Sequence, residues 1–420
     1  MRDKIFSIFR YLYLLKDKIA FFPSIIAFIG CCFAYLMMFL ESKGISKKLI
    51  EIAPELVINN TETARVILTT FIAGLISIMV FSFSMVMILL NQASSNFSPR
   101  LLPGLISNRR HQIILGIYLA TILYCIFILV YIEPEGNKYQ LPGFSVLLSI
   151  VLMVISLASF IYFIHSISQE IQINNIMKDI FQDAKNRLLY LINDEKDKNL
   201  DFPNSDSWTV YNSKTAGYFH DISLKIIAEI ANENECRIEI LCAKGTFIND
   251  KIPLFKTEKK LDDKIIERIH ENFDFTKNDF IQENYVLAFK QITEIAVKSM
   301  SPAINDPGTA MNAIDYLNQL FCIRIHKKDK NLTFIDKKAW VLIKSISFNE
   351  LLYQVLVALR TYCKHDVLII KKLLLMLKHL KEISSDNYKE AIENEIELLL
   401  FDAELTIENK EDLKYLRRFI

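Results

Sequence analysis

The chain has 420 residues, of which 52% are apolar and 29 are Phe, with a mean hydropathy of +0.24; this is richer in apolar side chains than a soluble globular protein. Its formal net charge of +1 supplies neither a basic field for nucleic acid nor an acidic tail. The seven cysteines form no CxxC pair and no Cys/His cluster of zinc spacing, so buried free thiols are expected, with no metal, no cofactor and no disulfide framework.

Charge is unevenly placed. Residues 1–165 hold 13 Lys+Arg and 8 Asp+Glu, nearly all between apolar runs. Four runs approach or exceed the ~20 residues that a helix needs to cross the hydrocarbon core. They lie between Lys18 and Glu41, between Arg65 and Asn91, between His111 and Glu133, and from about Leu141 to His165, with no Asp, Glu, Lys or Arg inside them. A cleaved signal peptide competes for the first run, but that run is too long and lacks a small-residue cleavage site before Glu41. Arg2, Lys4, Arg10, Lys16 and Lys18 precede the first span, and Arg100, Arg109 and Arg110 lie between the second and third. This bias places both termini in the cytoplasm.

The second span carries Thr70, Ser77, Ser84 and Asn91 at intervals of seven residues, with Gly74 on nearly the same side. Seven residues is close to two turns, so the groups form a slowly drifting stripe. Small and hydroxyl residues in a membrane helix usually serve close helix contact; the competing reading is a stripe facing water along an ion path. The fourth span repeats the theme with Ser145, Ser149, Ser156 and Ser159. With no buried carboxylate or cation expected in the spans, a proton-coupled carrier is disfavoured. Four helices leave little interior, so a path calls for a homo-oligomer around a symmetry axis.

After the second span the chain reads NQASSNFSPRLL from Asn91. Gln92, Ser94, Ser95 and Ser98 need protein or water as partners. Pro99 holds Ser98 extended, and Arg100 marks the membrane boundary, either as a plain anchor or at the rim of a path.

Beyond residue 165 a helical stripe from Ile173 to Leu191 predicts a stalk or packed helix, with a linker to about residue 205. Residues 206–256 read as a small β-rich unit: Cys236 to Cys242 alternates in period two, and Pro253 marks an edge or bulge. Gly245 is a turn glycine and no phosphate loop. Residues 257–420 read as helical, including a stretch with Trp340 and Ile343 on its apolar face. Within them SPAINDPGTA, from Ser301, places Asp306 as an N-cap and Pro307 at the first helical position. That makes a rigid corner; the alternative is a cation or small polar ligand at Asn305, Asp306 and Thr309, for which one carboxylate is a poor site alone. The fold class expected is an α-helical membrane domain of four transmembrane helices (1–165), then an α+β cytoplasmic domain with a small β-rich unit.

Asn91 to Leu102 and Ser299 to Ala310 (SMSPAINDPGTA) resemble two motifs of DUF2254, a family of predicted bacterial inner-membrane proteins of unknown function. The family patterns are close to QxASSxxSPRxL and LSPGINDPxTA. The chain departs from them with Ala303 for a common Gly and Met300 for a common Leu. Gly217-Tyr218 and Gly245-Thr246-Phe247 also look like family elements. The resemblance implies a multi-pass protein of the bacterial inner membrane and carries no established biochemistry.

Two functions are weighed. One is an oligomeric passive ion conduit, in contact with membrane lipid and gated through its cytoplasmic part. The other is a membrane-anchored scaffold or sensor that transports nothing. The chain has no HExxH, GxSxG or P-loop pattern, so no enzyme is expected.

Overall fold

The computed structural model describes residues 20–46, 51, 58, 60–96, 109–132, 142–170, 172–195, 202–276, 284–329, 331–335 and 338–419. It divides into two compact units, residues 1–172 and 173–420.

The first unit is built from four helices: α1 (Phe21–Ser42), α2 (Thr61–Asn96), α3 (Arg109–Tyr131) and α4 (Gly143–Glu170). Each is long and apolar enough to cross a membrane. They form because unbroken apolar sequence satisfies every backbone group within its own helix, as a hydrocarbon environment demands. Two apolar clusters fill the space between them. One centres on Ala34, Leu68, Tyr124, Cys125, Ile128 and Val146; the other on Leu75, Ile114, Tyr118, Ile122 and Phe163. The outward faces carry apolar side chains such as Phe28, Ile29, Val80, Phe83 and Ile161, a surface suited to lipid.

The tightest seam joins α1 to α3. A Cβ on Gly30 would lie 2.7 Å from Ala120 Cα, and one on Gly116 would lie 2.8 Å from Ile26 Cδ1. Both glycines start a small-xxx-small spacing, Gly30 with Ala34 and Gly116 with Ala120, the pattern that lets membrane helices approach closely.

The second unit opens with α5 (Ile173–Glu195), which buries Ile176, Met177, Ile180, Ala184 and Leu188. Its stripe packs on α8 (Tyr285–Ser299) and α9 (Pro307–Arg324), so the helix belongs to the soluble unit's own core. Strands β1 (Thr209–Asn212), β5 (Pro253–Thr257), β3 (Ile238–Ile240), β8 (Lys338–Ile343) and β7 (Asn331–Ile335) form one sheet in that spatial order. A second sheet has the order β4 (Phe247–Ile248), β2 (Gly217–Ile222), β6 (Phe273–Thr276). Both sheets, with α6 (Leu224–Glu233) and α7 (Asp263–His270), share one core around Phe219, Ile227, Ile240, Phe255, Phe273 and Val341.

The β-rich unit is therefore larger than residues 206–256, because β6, β7 and β8 come from the stretch read as helical. Trp340 and Ile343 lie in β8, beside β3 in parallel register, Ile238 opposite Val341 and Ile240 opposite Ile343. The helical reading of this stretch fails for a physical reason. Strand β8 is covered on both faces, and Ala339, Trp340 and Val341 are buried in succession, so its sequence lacks the period-two alternation of a half-exposed strand. Gly245 does stand at a turn, at φ +82°, directly before β4. The remaining helices α10 (Phe348–Cys363), α11 (Val367–Ile383), α12 (Asp386–Thr406) and α13 (Lys410–Leu416) complete the unit. Three of them start on side-chain caps, Ser347, Asp366 and Asn409.

Candidate functional site

The polar stripe of α2 turns outward. Thr70, Ser77, Ser84 and Asn91 are all exposed on the first unit. Ser77 Oγ donates to Ala73 O and Ser84 Oγ to Val80 O, each at 2.9 Å, so both hydroxyl protons are bonded within the helix while their lone pairs face out. Gly74 sits in ordinary contact distance, with Met153 Cε 4.0 Å from where a Cβ would stand. Helix α2 continues through Gln92, Ser94 and Ser95 to Asn96, and Gln92 is exposed. Ser98 and Arg100 lie outside the described residues.

Three of the four stripe serines of α4 do the opposite, while Ser159 is half-buried. Ser145, Ser149 and Ser156 are fully buried. Ser149 Oγ donates to Val146 O at 2.6 Å and Ser156 Oγ to Leu152 O at 2.9 Å, and Ser156 Oγ lies 3.2 Å from Thr121 Oγ1 on α3. Two stripes of similar sequence therefore have different destinations: that of α4 holds helices together, and that of α2 is offered to whatever lies outside the unit.

The expectation that no carboxylate is buried in the spans is overturned by Glu41. Helix α1 runs past it to Ser42, and the residue is 3% exposed. Glu41 Oε1 accepts from Ser145 N and Ser145 Oγ, both at 2.9 Å, and Oε2 accepts from Ser46 Oγ at 2.6 Å. Ser46 Oγ in turn accepts from Phe144 N at 3.0 Å. A carboxylate bonded to a first-turn N–H suits the positive end of a helix dipole. The sequence placed Glu41 at the edge of an apolar run, where a charged residue reads as the point at which a span ends.

In the second unit the corner at residues 301–309 has the predicted caps. Asp306 Oδ1 accepts from Thr309 N at 3.1 Å and Oδ2 from Thr309 Oγ1 at 2.6 Å, with Pro307 in the first turn of α9. These bonds from Thr309 hold the Asp306 carboxyl below the usual carboxylate range. Asn305 takes a left-handed backbone, φ +47°, which Asn tolerates better than most residues. Asp306 and Thr309 are thus bonded to each other within the turn. Among the described residues, no three His, Cys, Asp or Glu side chains converge where a metal ion would sit.

The sequence reading missed a buried ionic cluster at the C-terminal end of α9. Arg324 is fully buried and donates to Lys327 O at 2.9 Å and Ile346 O at 3.0 Å, and it pairs with Asp329. Lys327 is 1% exposed, and its Nζ lies 2.9 Å from Glu195 Oε1 at the end of α5. Burial pushes the Lys327 ammonium down, with Glu195 opposing. Arg324 ends the last turn of α9 and Lys327 lies just beyond it, where basic residues are usually exposed, and the partners Ile346 and Glu195 are distant in sequence.

A family model described as a predicted membrane protein family, DUF2254, matches residues 16–379. The chain belongs to the DUF2254 family. Among curated proteins, this DUF2254 chain is similar to an uncharacterized protein of Mycobacterium tuberculosis and one of Mycobacterium bovis. Each is 23% identical over 83% of this chain and 70% of its own length. No solved structure matches. The chain is thus a multi-pass membrane protein with bacterial relatives, and both motifs that carry the resemblance to DUF2254 lie within the matched residues.

Proposed function

We propose that copies of this chain assemble in a bacterial inner membrane, both termini cytoplasmic, as a passive conduit for inorganic ions, opened or closed through the soluble unit. The observation that carries this reading is the outward face of α2. Thr70, Ser77, Ser84 and Asn91 lie exposed along it, while the centre of the four-helix unit is filled by residues such as Leu75, Tyr118 and Phe163. A path lined by the stripe therefore runs between copies, which is how a symmetric oligomer builds one. Lone pairs of hydroxyls and the Asn91 amide are ligands that replace part of a cation's water. The reading includes no catalytic step.

A second reading, a scaffold or sensor that conducts nothing, is favoured by the 2.9 Å bonds of Ser77 and Ser84 to their own helix, since such self-satisfied hydroxyls are also tolerated in lipid. Ion flux through purified protein in liposomes separates the two. Selective flux that changes with Asn91→Leu or Ser84→Leu supports the conduit; flux absent from correctly folded and oriented protein supports the scaffold.

A further inference from the structure

The second unit contains a cavity of about 290 Å³, bounded by the last turns of α5, the segment between β3 and β4, the start of α8 and the β7–β8 hairpin with its exit. That volume is at the small end of ligand pockets. Its wall is apolar over much of its extent, through Leu224, Val286 and Leu332. What distinguishes it is which charges are already committed. Glu195 is held by Lys327 at 2.9 Å and by the Lys328 N–H at 3.0 Å. Lys244 is paired with Asp221.

Arg187 and Lys344 also line the cavity, and neither has a carboxylate partner among the described residues. Arg187 Nε is buried without an acceptor, and its guanidinium lies 5.6 Å from the ring of Tyr190 on the same wall. A buried donor left without an acceptor is rare in folded proteins and calls for an explanation; here an acceptor brought by a ligand supplies it. Asp194 stands on the same wall, and its charge disfavours a polyanion.

We infer that this cavity binds a small organic anion, an apolar body with a single phosphate or carboxylate head, which Arg187 and Lys344 receive. The inference concerns the soluble unit by itself and holds whether or not the membrane unit conducts ions.

Titration calorimetry on the full-length protein in detergent tests it, with phenyl phosphate and phenylacetate as probes and benzyl alcohol and inorganic phosphate as body-only and head-only controls. The expected result is saturable binding of at least one organic anion, about tenfold or more tighter than either control. Arg187→Gln with Lys344→Gln should weaken it by about tenfold or more, and Thr333→Phe, which fills the cavity from β7, should abolish it. Should the double variant misfold, as judged by circular dichroism, Thr333→Phe carries the test. Binding of phenyl phosphate alone assigns a phosphate ligand, and of phenylacetate alone a carboxylate. No binding of either anion, equal binding of benzyl alcohol or of inorganic phosphate, or binding that survives the folded variants overturns the inference.

Discussion

Glu41 and Ser145 are joined by two hydrogen bonds of 2.9 Å, from the backbone N–H and the hydroxyl of Ser145 to the same carboxylate oxygen. The N-terminus of α4 is thus capped by the C-terminal turn of α1, a cap that its own sequence, Pro142-Gly143-Phe144, does not supply. Tyr124 reinforces the junction from α3, donating to Ser145 O at 3.0 Å. Glu41→Leu leaves the Ser145 N–H and two hydroxyls without their acceptor, and each buried orphan costs about 1–3 kcal/mol. Glu41→Gln keeps an acceptor and should cost less. Thermal unfolding followed by dye labelling of Cys125, fully buried in the adjoining core, in a variant keeping only that cysteine, should rank wild type, Gln, then Leu in falling midpoint. Equal midpoints would remove the cap from the account.

The α1–α3 seam makes a sharper prediction. At Gly30 the obstruction is Ala120 backbone at 2.7 Å, whereas at Gly116 it is side-chain atoms of Ile26, of which Cδ1 at 2.8 Å can turn away and Cβ at 2.9 Å needs a smaller shift of its helix. Gly30→Ala should therefore destabilise more than Gly116→Ala, by about 1–3 kcal/mol as overpacking usually does. The same labelling of Cys125 reads the difference. A reversed order would mean that the two helices adjust by sliding rather than by side-chain rotation.

These two contacts show what was and was not readable in the sequence. Span positions follow from run length alone, because a membrane helix needs only unbroken apolar sequence. The Asp306 cap was readable too, since every partner lies within three residues. Glu41, Arg324 and Lys327 were not, because their significance rests on partners brought near by folding: Ser145, Ile346 and Glu195 respectively. Strand β8 failed for a related reason, its continuous burial being supplied by neighbours on both faces. The two serine stripes were visible as spacing, yet spacing does not say which of them faces inward.

The Asp306 cap gives a pH prediction. Its folded-state carboxyl lies below the ordinary value because Thr309 donates to it twice. A depressed carboxylate contributes stability that is complete above its unfolded pKa of about 3.9 and is lost as pH falls through the lower folded value. Asp306→Ala should cost about 0.5–2 kcal/mol at neutral pH, as loss of an N-cap does, and the gap between variant and wild type should close below about pH 4. Both tryptophans, Trp208 and Trp340, belong to the second unit, so urea unfolding followed by their fluorescence reports on it. A gap independent of pH would assign the effect to the turn's backbone instead of to the charge.

Lys327 and Glu195 pose the last test, a choice between net stabilisation and specificity. The ammonium is 1% exposed and donates to Lys328 O at 2.7 Å as well as pairing with Glu195, yet burial outweighs its partner and lowers its pKa. Removing one member of such a pair strands the other charge and costs about 3 kcal/mol or more, whereas removing both is often nearly neutral. Lys327→Met should therefore lower the urea midpoint clearly, and Glu195→Leu added to it should recover most of the loss. Additive losses would mean that Glu195 stabilises the unit through the Lys328 N–H and not through the ion pair. Recovery would mean that the pair fixes where α5 docks while adding little net stability, since two apolar side chains at the same positions would then hold the helix nearly as well.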